Sequence, residues 1–343
     1  MLALPPSLDT HARLLEELQD LAALEQASPP DGAAGAPADD DGLRVVAWNA
    51  ERGRFPDGAA AMLGAAGAQV HLLSELDWGM ARTGQRHTAR DLAKRLGCGY
   101  VYGVEFLELG LGDARERGAL AGQANAIGFH GAAILSPRPL ERPRLVRLTR
   151  DGRWFDGELG ERRVGGRMAL LASVDLASGP VALATVHLES HSDPEERATQ
   201  LAVLLDAVED YAPGGPAVIG GDMNTSSLGP EHRDAKRLRD AFRADPDRLR
   251  NPIPHEPLFR LLDERGWEWR SCNRLDQGTQ RVVEPGPDSD GRDVLHLDWL
   301  FCRGLEVRSP EVIAAVDPVS GRALSDHEAV GAVVSVSPAR ADA

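Results

Sequence analysis

What this chain lacks narrows its possibilities before any motif is read. Its three cysteines, Cys98, Cys272 and Cys302, are an odd number with no CxxC pair. They offer neither a disulfide framework nor a zinc-thiolate cluster and suit a reducing compartment. No apolar run approaches the roughly eighteen residues of a membrane span. The opening "MLALPPSLDTHARLLEEL" has no basic start and no sustained apolar region, unlike a secretory signal, so a cytoplasmic setting is expected. Phe and Tyr number only ten, which leaves few platforms for stacking single-stranded bases. Positive charge is also short. The net charge is −15, of which residues 1–42 contribute −8 through nine acids against Arg13, leaving −7 for the body. Such a body steers duplex DNA weakly, and no basic strip interleaved with aromatics is visible.

What is present is ordinary for a globular protein, with 42% hydrophobic and 27% charged residues. Leu14, Leu15, Leu18, Leu21 and Leu24 recur at helical spacing and predict an amphipathic helix over about 8–26. It is expected to pack on the body as a flap, the alternative being contact with a partner. "SPPDGAAGAPADDDG" then reads as an acidic, flexible linker. The division expected is residues 1–42 as helix and linker, 43–336 as one catalytic-size domain, and 337–343 as a frayed tail.

Within the body, strand signals alternate with helical patterns near 58–66, 86–97, 194–211 and 256–265. "DLASGP" predicts a hairpin turning at Ser178-Gly179. Short turns between strands, mixed with crossover helices, indicate an α/β (α+β) fold with much antiparallel pairing. Residues 138–167 carry nine arginines against five acids. A solvated hairpin explains this most simply, and a cationic rim for phosphate is the alternative.

Chemistry collects where strands end. "LRVVAWN" delivers Asn49, "AQVHLLSEL" delivers Glu75, and "VALATVHLE" delivers His187. "PAVIGGDMN" releases Asp222 and Asn224 one residue apart, and "LSDHEAVGAVV" opens the last strand with Asp326 and His327. Each could be a turn former or a satisfied polar group. Asp298 resists that account, because "VLHLDWLF" sets it inside an apolar strand. A buried carboxylate must find a partner, and a histidine is the natural one. Together these groups suit the cutting of a phosphate ester. Carboxylates can hold a hard divalent cation, an Asp–His pair can move a proton or clamp charge, and amides can orient water.

In this order, "WN…E…H…GDMN…LDWLF…SDH" resembles the endonuclease/exonuclease/phosphatase superfamily, the DNase I-like fold, over about 43–336. The resemblance implies a four-layer α/β sandwich of two packed, mostly antiparallel sheets flanked by helices, and a Mg²⁺ or Mn²⁺ ion. By it, Glu75 would be the principal metal ligand, with Asn49 beside it and Asp326 facing the metal. Asp222 and Asn224 would position water and phosphate, Asp298 would pair with His327, and His187 would contact phosphate with Glu105 as its candidate backing. Arg197 and Gln200 would tie loops. One departure stands out: many relatives carry asparagine where "GAAILS" has Ala132, and Asn125 is the candidate substitute.

The activity implied is metal-dependent hydrolysis of a phosphodiester or phosphomonoester, as a nuclease or a small phosphodiesterase. A phospholipid or inositol-phosphate phosphatase, and an inactive scaffold binding a partner through the N-terminal helix, are the alternatives. The calcineurin-like metallophosphoesterases are excluded, since their D-x-H and G-N-H-[DE] motifs are absent.

Overall fold

The computed structural model describes residues 7–30, 42–225, 250–280 and 295–336, with isolated positions between 240 and 247. The expected linker and tail lie mostly outside the described residues. Among these, no helix is long and apolar enough to cross a membrane.

Two sheets stack face to face. The first contains β1 (Leu24–Ala27), β2 (Leu43–Arg52), β3 (Val70–Trp78), β4 (Gly99–Glu108), β5 (Phe129–Ser136) and β7 (Arg163–Gly165). It is completed by β12 (Leu305–Ile313) and β13 (Ala329–Val336), in the order β1-β4-β5-β3-β2-β13-β12 with β7 on β4. The second runs β11-β10-β9-β8-β6, from β6 (Glu141–Arg147), β8 (Met168–Leu176), β9 (Gly179–His187), β10 (Ala217–Asp222) and β11 (Asp298–Arg303). The pairs β2–β3 and β9–β10 are parallel, and the other ladders are antiparallel. The expected two-sheet sandwich with flanking helices is the fold.

Strand periodicity builds the layers. Along β2, Leu43, Val45 and Ala47 face the second sheet, where they meet Leu170, Leu183, Val218 and Leu300. The alternate residues Val46, Trp48 and Ala50 face outward, as a pleat of period two requires. There they pack with α2 (Pro56–Ala65) and α3 (Thr88–Leu96). On the far side, α5 (Pro194–Tyr211) and α6 (Pro257–Glu264) cover the second sheet through Leu201, Leu204, Leu205, Phe259 and Leu262. A short α4 (Ala114–Ala119), closed by an Asp113–Glu116 capping box, is an element the hydrophobic pattern did not reveal.

Two glycines explain how "GGD" reaches the sheet end. A Cβ on Gly220 would lie 2.8 Å from Ala47, Leu72 and Leu300 side-chain atoms, so the facing sheets close only around a bare backbone. Gly221 has φ +147°, and a Cβ there would strike the Val186 carbonyl.

Two expectations change. The N-terminal helix stops early: α1 is Leu8–Glu17, a 3₁₀ turn follows, and residues 24–27 become β1 on the edge of β4. An open sheet edge offers these residues a ladder that a free helix lacks, and Glu25 accepts a 2.5 Å hydrogen bond from the Tyr100 hydroxyl. The helix does lie on the body, where Leu14, Leu15 and Leu18 join the outer core and His11 Nε2 sits 2.9 Å from the Gly165 carbonyl. In the hairpin, Leu176 pairs with Gly179, so Ala177 and Ser178 form the two-residue turn instead.

Burial pushes the His71 and His296 imidazoles down to about 4. Their unfolded value is about 6.5, so between these limits the unfolded chain binds more protons, and stability falls as pH drops. His187, pushed down to about 3 by burial, adds to the trend, and His327, whose pKa is raised, opposes it. Thermal melts at about pH 7 and about pH 5 should show the lower Tm at the acid value. An equal or higher Tm there would contradict the neutral, buried histidines.

Candidate active site

The strand ends meet in a cleft of about 150 Å³ whose walls include Asn49, Glu75, His187, Asp222, Asn224 and His327. Register explains the convergence: Asp222 at the close of β10 pairs with His187 on β9 and with Asp298 on β11. The first sheet brings Asn49 and Glu75 to the same end through β2 and β3.

Asp222 is the centre. Its Oδ2 accepts a 3.1 Å hydrogen bond from Asn49 Nδ2 and lies 3.4 Å from His187 Nε2 and 3.7 Å from His327 Nε2. Its Oδ1 accepts from the Asn224 amide at 2.8 Å. Burial, with Asp298 nearby, raises the Asp222 carboxyl against the pull of His327 and His187. Asn224, at φ +51°, donates through Nδ2 to the Leu188 carbonyl at 2.9 Å.

Asp298 is fully buried behind this group, and its partner is the expected histidine, with His327 Nδ1 2.8 Å from Oδ2. Thr279 also donates to Oδ2, at 2.8 Å. Burial alone would lower the His327 pKa, but Asp298, Asp222 and Asp326 outweigh it and raise it well above the ordinary value. Ser325 fixes the loop: its hydroxyl donates to the Asn49 carbonyl at 2.8 Å and accepts from the His327 amide at 3.0 Å.

Strand irregularities aim the acids. The β2–β3 ladder slips between Asn49 and Arg52, and the β3–β5 ladder slips between Leu73 and Leu76. At these bulges Glu51, Arg52 and Glu75 have φ of 41°, 74° and 54°, a backbone that re-aims side chains and is tolerated where function over-determines it. Glu75 accepts from Asn49 Nδ2 at 3.2 Å and from Arg52 at 2.6 Å. Burial opposes its ionisation, but Arg52, His187, His130 and His327 hold its carboxyl well below the usual range.

Several cleft residues were not read from the sequence. Arg52, His130, Trp154, Glu161, Arg163, Arg167 and Ser190 complete the lining. The bland reading of the arginine-rich 138–167 stretch fails for Arg163 and Arg167, which are buried. Arg167 donates to Glu105 at 2.9 Å and to Glu189 at 3.0 Å, and Arg163 pairs with Glu108 at 3.0 Å. This corrects the role expected of Glu105: it holds Arg167, and among the described residues His187 Nδ1 has no hydrogen-bond partner. Asn125 does not replace the missing amide at Ala132 either. Its side chain joins the Ala81 amide to the Gly110 carbonyl, while Ala132 packs between the sheets. Arg197 and Gln200 tie loops through Glu256 and the Glu189 amide.

Among the described residues, one group of donor atoms gathers closely enough to hold a divalent cation. Ligand atoms of Asp222, Asp298 and His327 lie within 4.8 Å of one another. In that set His327 Nδ1 is committed to Asp298 and the ring favours its charged form, which leaves it a poor ligand. Glu51, Glu75 and Asp326 also supply hard oxygens of the kind Mg²⁺ and Mn²⁺ take, but they are not gathered into such a group, and Arg54 pairs with Glu51 and Arg52 with Glu75. The Glu51 carboxyl is raised by burial, by Asp326 and by Glu75, a repulsion that a cation relieves. Asp326 is not among the residues lining the cleft and acts on it from beside His327.

Removing Arg167 would strand Glu105 and Glu189 in the interior. Arg167→Met should therefore cost about 3–5 kcal/mol in denaturant unfolding. A loss under about 1 kcal/mol would show that the pairing is not made.

The sequence model of the Endonuclease/Exonuclease/phosphatase family matches residues 46–327. No curated protein matches the chain in sequence. Among solved structures, an endonuclease/exonuclease/phosphatase from Beutenbergia cavernae DSM 12333 is similar at TM-score 0.56 and 20% identity, over 86% of this chain and 71% of that one. A functionally unknown conserved protein from Enterococcus faecalis V583 is similar at 0.53 and 15%, over 86% and 100%. D. rerio TDP2 complexed with single strand DNA product is similar at 0.50 and 17%, over 86% and 99%. At these identities the likeness is one of fold.

Proposed function

Because this chain belongs to the endonuclease/exonuclease/phosphatase family, we propose that it is a divalent-metal-dependent hydrolase of phosphate esters, a nuclease or small phosphodiesterase. The observation carrying this reading is the Asp222 carboxylate, set among Asn49, His187 and His327 beside the Glu51–Glu75–Asp326 acids. The bound DNA product of the similarly folded TDP2 supports a nucleic-acid or nucleotide substrate. A cytoplasmic setting belongs to the same reading and rests on three unpaired cysteines.

The cation would be held by Glu75 and Glu51 with Asp326, and bound there it supplies positive charge to the phosphoryl oxygens. The protein groups do the rest. Asp222 takes a proton from water, for which its raised pKa fits it better than an ordinary aspartate. Asn224 fixes the Asp222 carboxylate through its backbone amide. His327, kept charged by Asp298, faces the negative charge that grows on the phosphate, where a fixed donor in a dry site stabilises it most. His187 is pushed down to about 3 by burial and Arg167, so it offers a neutral hydrogen bond.

Asp222→Asn and His327→Gln should each lower kcat/KM at least about a hundredfold with Mg²⁺ on bis-p-nitrophenyl phosphate. Losses below about threefold in both folded variants would refute these roles. The pH profile should be bell-shaped. Activity falls on the acid side as Asp222 is protonated, above the ordinary aspartate value, and on the alkaline side as His327 loses its proton, above the ordinary histidine value. No turnover by the wild type with any divalent metal would favour the inactive scaffold.

A further inference from the structure

The cleft holds a second carboxylate–histidine pair that the reading above does not use. His130, on β5, is buried, and its Nδ1 lies 2.9 Å from Asp77 Oδ1. Asp77 and His130 are register partners across β3–β5. Arg82 grips the same carboxylate with two hydrogen bonds of 2.8 Å, a buried ion pair. A carboxylate held this way accepts, and at 2.9 Å it is nearer Nδ1 than Arg82 Nη2 at 3.3 Å, so Nδ1 carries a proton and Nε2 is the free end of the ring. Among the described residues Nε2 has no hydrogen-bond partner, and His130 lines the cleft.

Asp298 and His327 form the same arrangement, with Nδ1 2.8 Å from the carboxylate. His187 differs, because it lacks such a partner. The two paired histidines also occupy suitable places. In the sheet order β5-β3-β2-β13, His130 stands at one end, Glu75 and Asn49 lie between, and His327 precedes the strand at the other end. Three strand spacings separate the outer backbones by about 14 Å, and both histidines line the cleft. An in-line displacement needs its entering and leaving oxygens on opposite sides of phosphorus.

We propose that His130 is a further catalytic residue, the acid that protonates the leaving oxygen. This rests on the phosphoesterase reading and adds the step it leaves open. As the P–O bond breaks, its electron pair stays with the departing oxygen, which takes the Nε2 proton. His130 gives up that proton and regains one from water, while the proton of the attacking water rests on Asp222. The charged groups facing the ring are Asp77 and Glu75 from β3, Arg82 from the turn after it, and Glu105 and Glu108 from β4.

The test compares two esters of nearly equal shape, bis-p-nitrophenyl phosphate and diphenyl phosphate. Nitrophenolate departs without help, whereas phenolate is about as basic as tyrosinate, pKa about 10. For His130→Gln, the loss of kcat on diphenyl phosphate should exceed the loss on the nitrophenyl ester by at least about thirtyfold, within the range of acid catalysis. Equal losses on both would overturn the proposal while leaving the hydrolase reading intact. Failure of the wild type on both esters would remove the hydrolase reading and this one with it. Should that variant not fold, His130→Asn is judged by the same ratio: a loss larger on diphenyl phosphate supports the acid, and equal losses overturn it.

Discussion

The Asp222 carboxylate is 2% exposed and cannot be left alone in the interior, where an unpaired charge costs several kcal/mol. Its partners come from both sheets: Asn49 from β2, the His327 loop before β13, His187 from β9, and the amide of Asn224 just beyond β10. Satisfying one carboxylate therefore fixes the relative position of the two sheets at one end of the sandwich. The apolar core between them permits the stacking, and this polar hub sets its register.

The same rule extends outward as a mesh of paired charges. Arg82 serves Asp77, Glu108 and Glu116, Arg163 serves Glu108 and Glu161, and Arg167 serves Glu105 and Glu189. Each guanidinium reaches two or more acids, which suits its planar fork of donors. The mesh reaches the cleft itself, where Arg52 pairs with Glu75 and Arg54 with Glu51.

How much of this was legible depended on the kind of signal. Asp298 and His327 could be paired from sequence, because a carboxylate inside "LDWLF" is costly and needs a partner. Asn49, His187 and Asp222 were legible as polar residues closing apolar runs. Glu51 and Arg52 were not, since period-two reasoning fails at a bulge and nothing in "WNAERG" announces left-handed backbone. Arg163 and Arg167 were hidden for another reason: an arginine paired with an acid twenty to sixty positions away looks like solvated charge until the fold closes. His130 is masked inside "ANAIGFHGAAILS", where a mostly apolar run signals packing and one histidine reads as a satisfied polar group. The N-terminal helix was overextended because leucine spacing cannot register a vacant strand edge waiting beside it.

The seat proposed for a divalent ion lies at the ends of β2 and β3, on Glu75 and Glu51 with Asp326. Calorimetric titration of the full chain with Mn²⁺ tests it without any substrate. Saturable binding by the wild type is expected, with at least about a tenfold weaker affinity in Glu75→Gln, a change of about 1.4 kcal/mol. Absence of binding, or equal affinity in the folded variant, would contradict it.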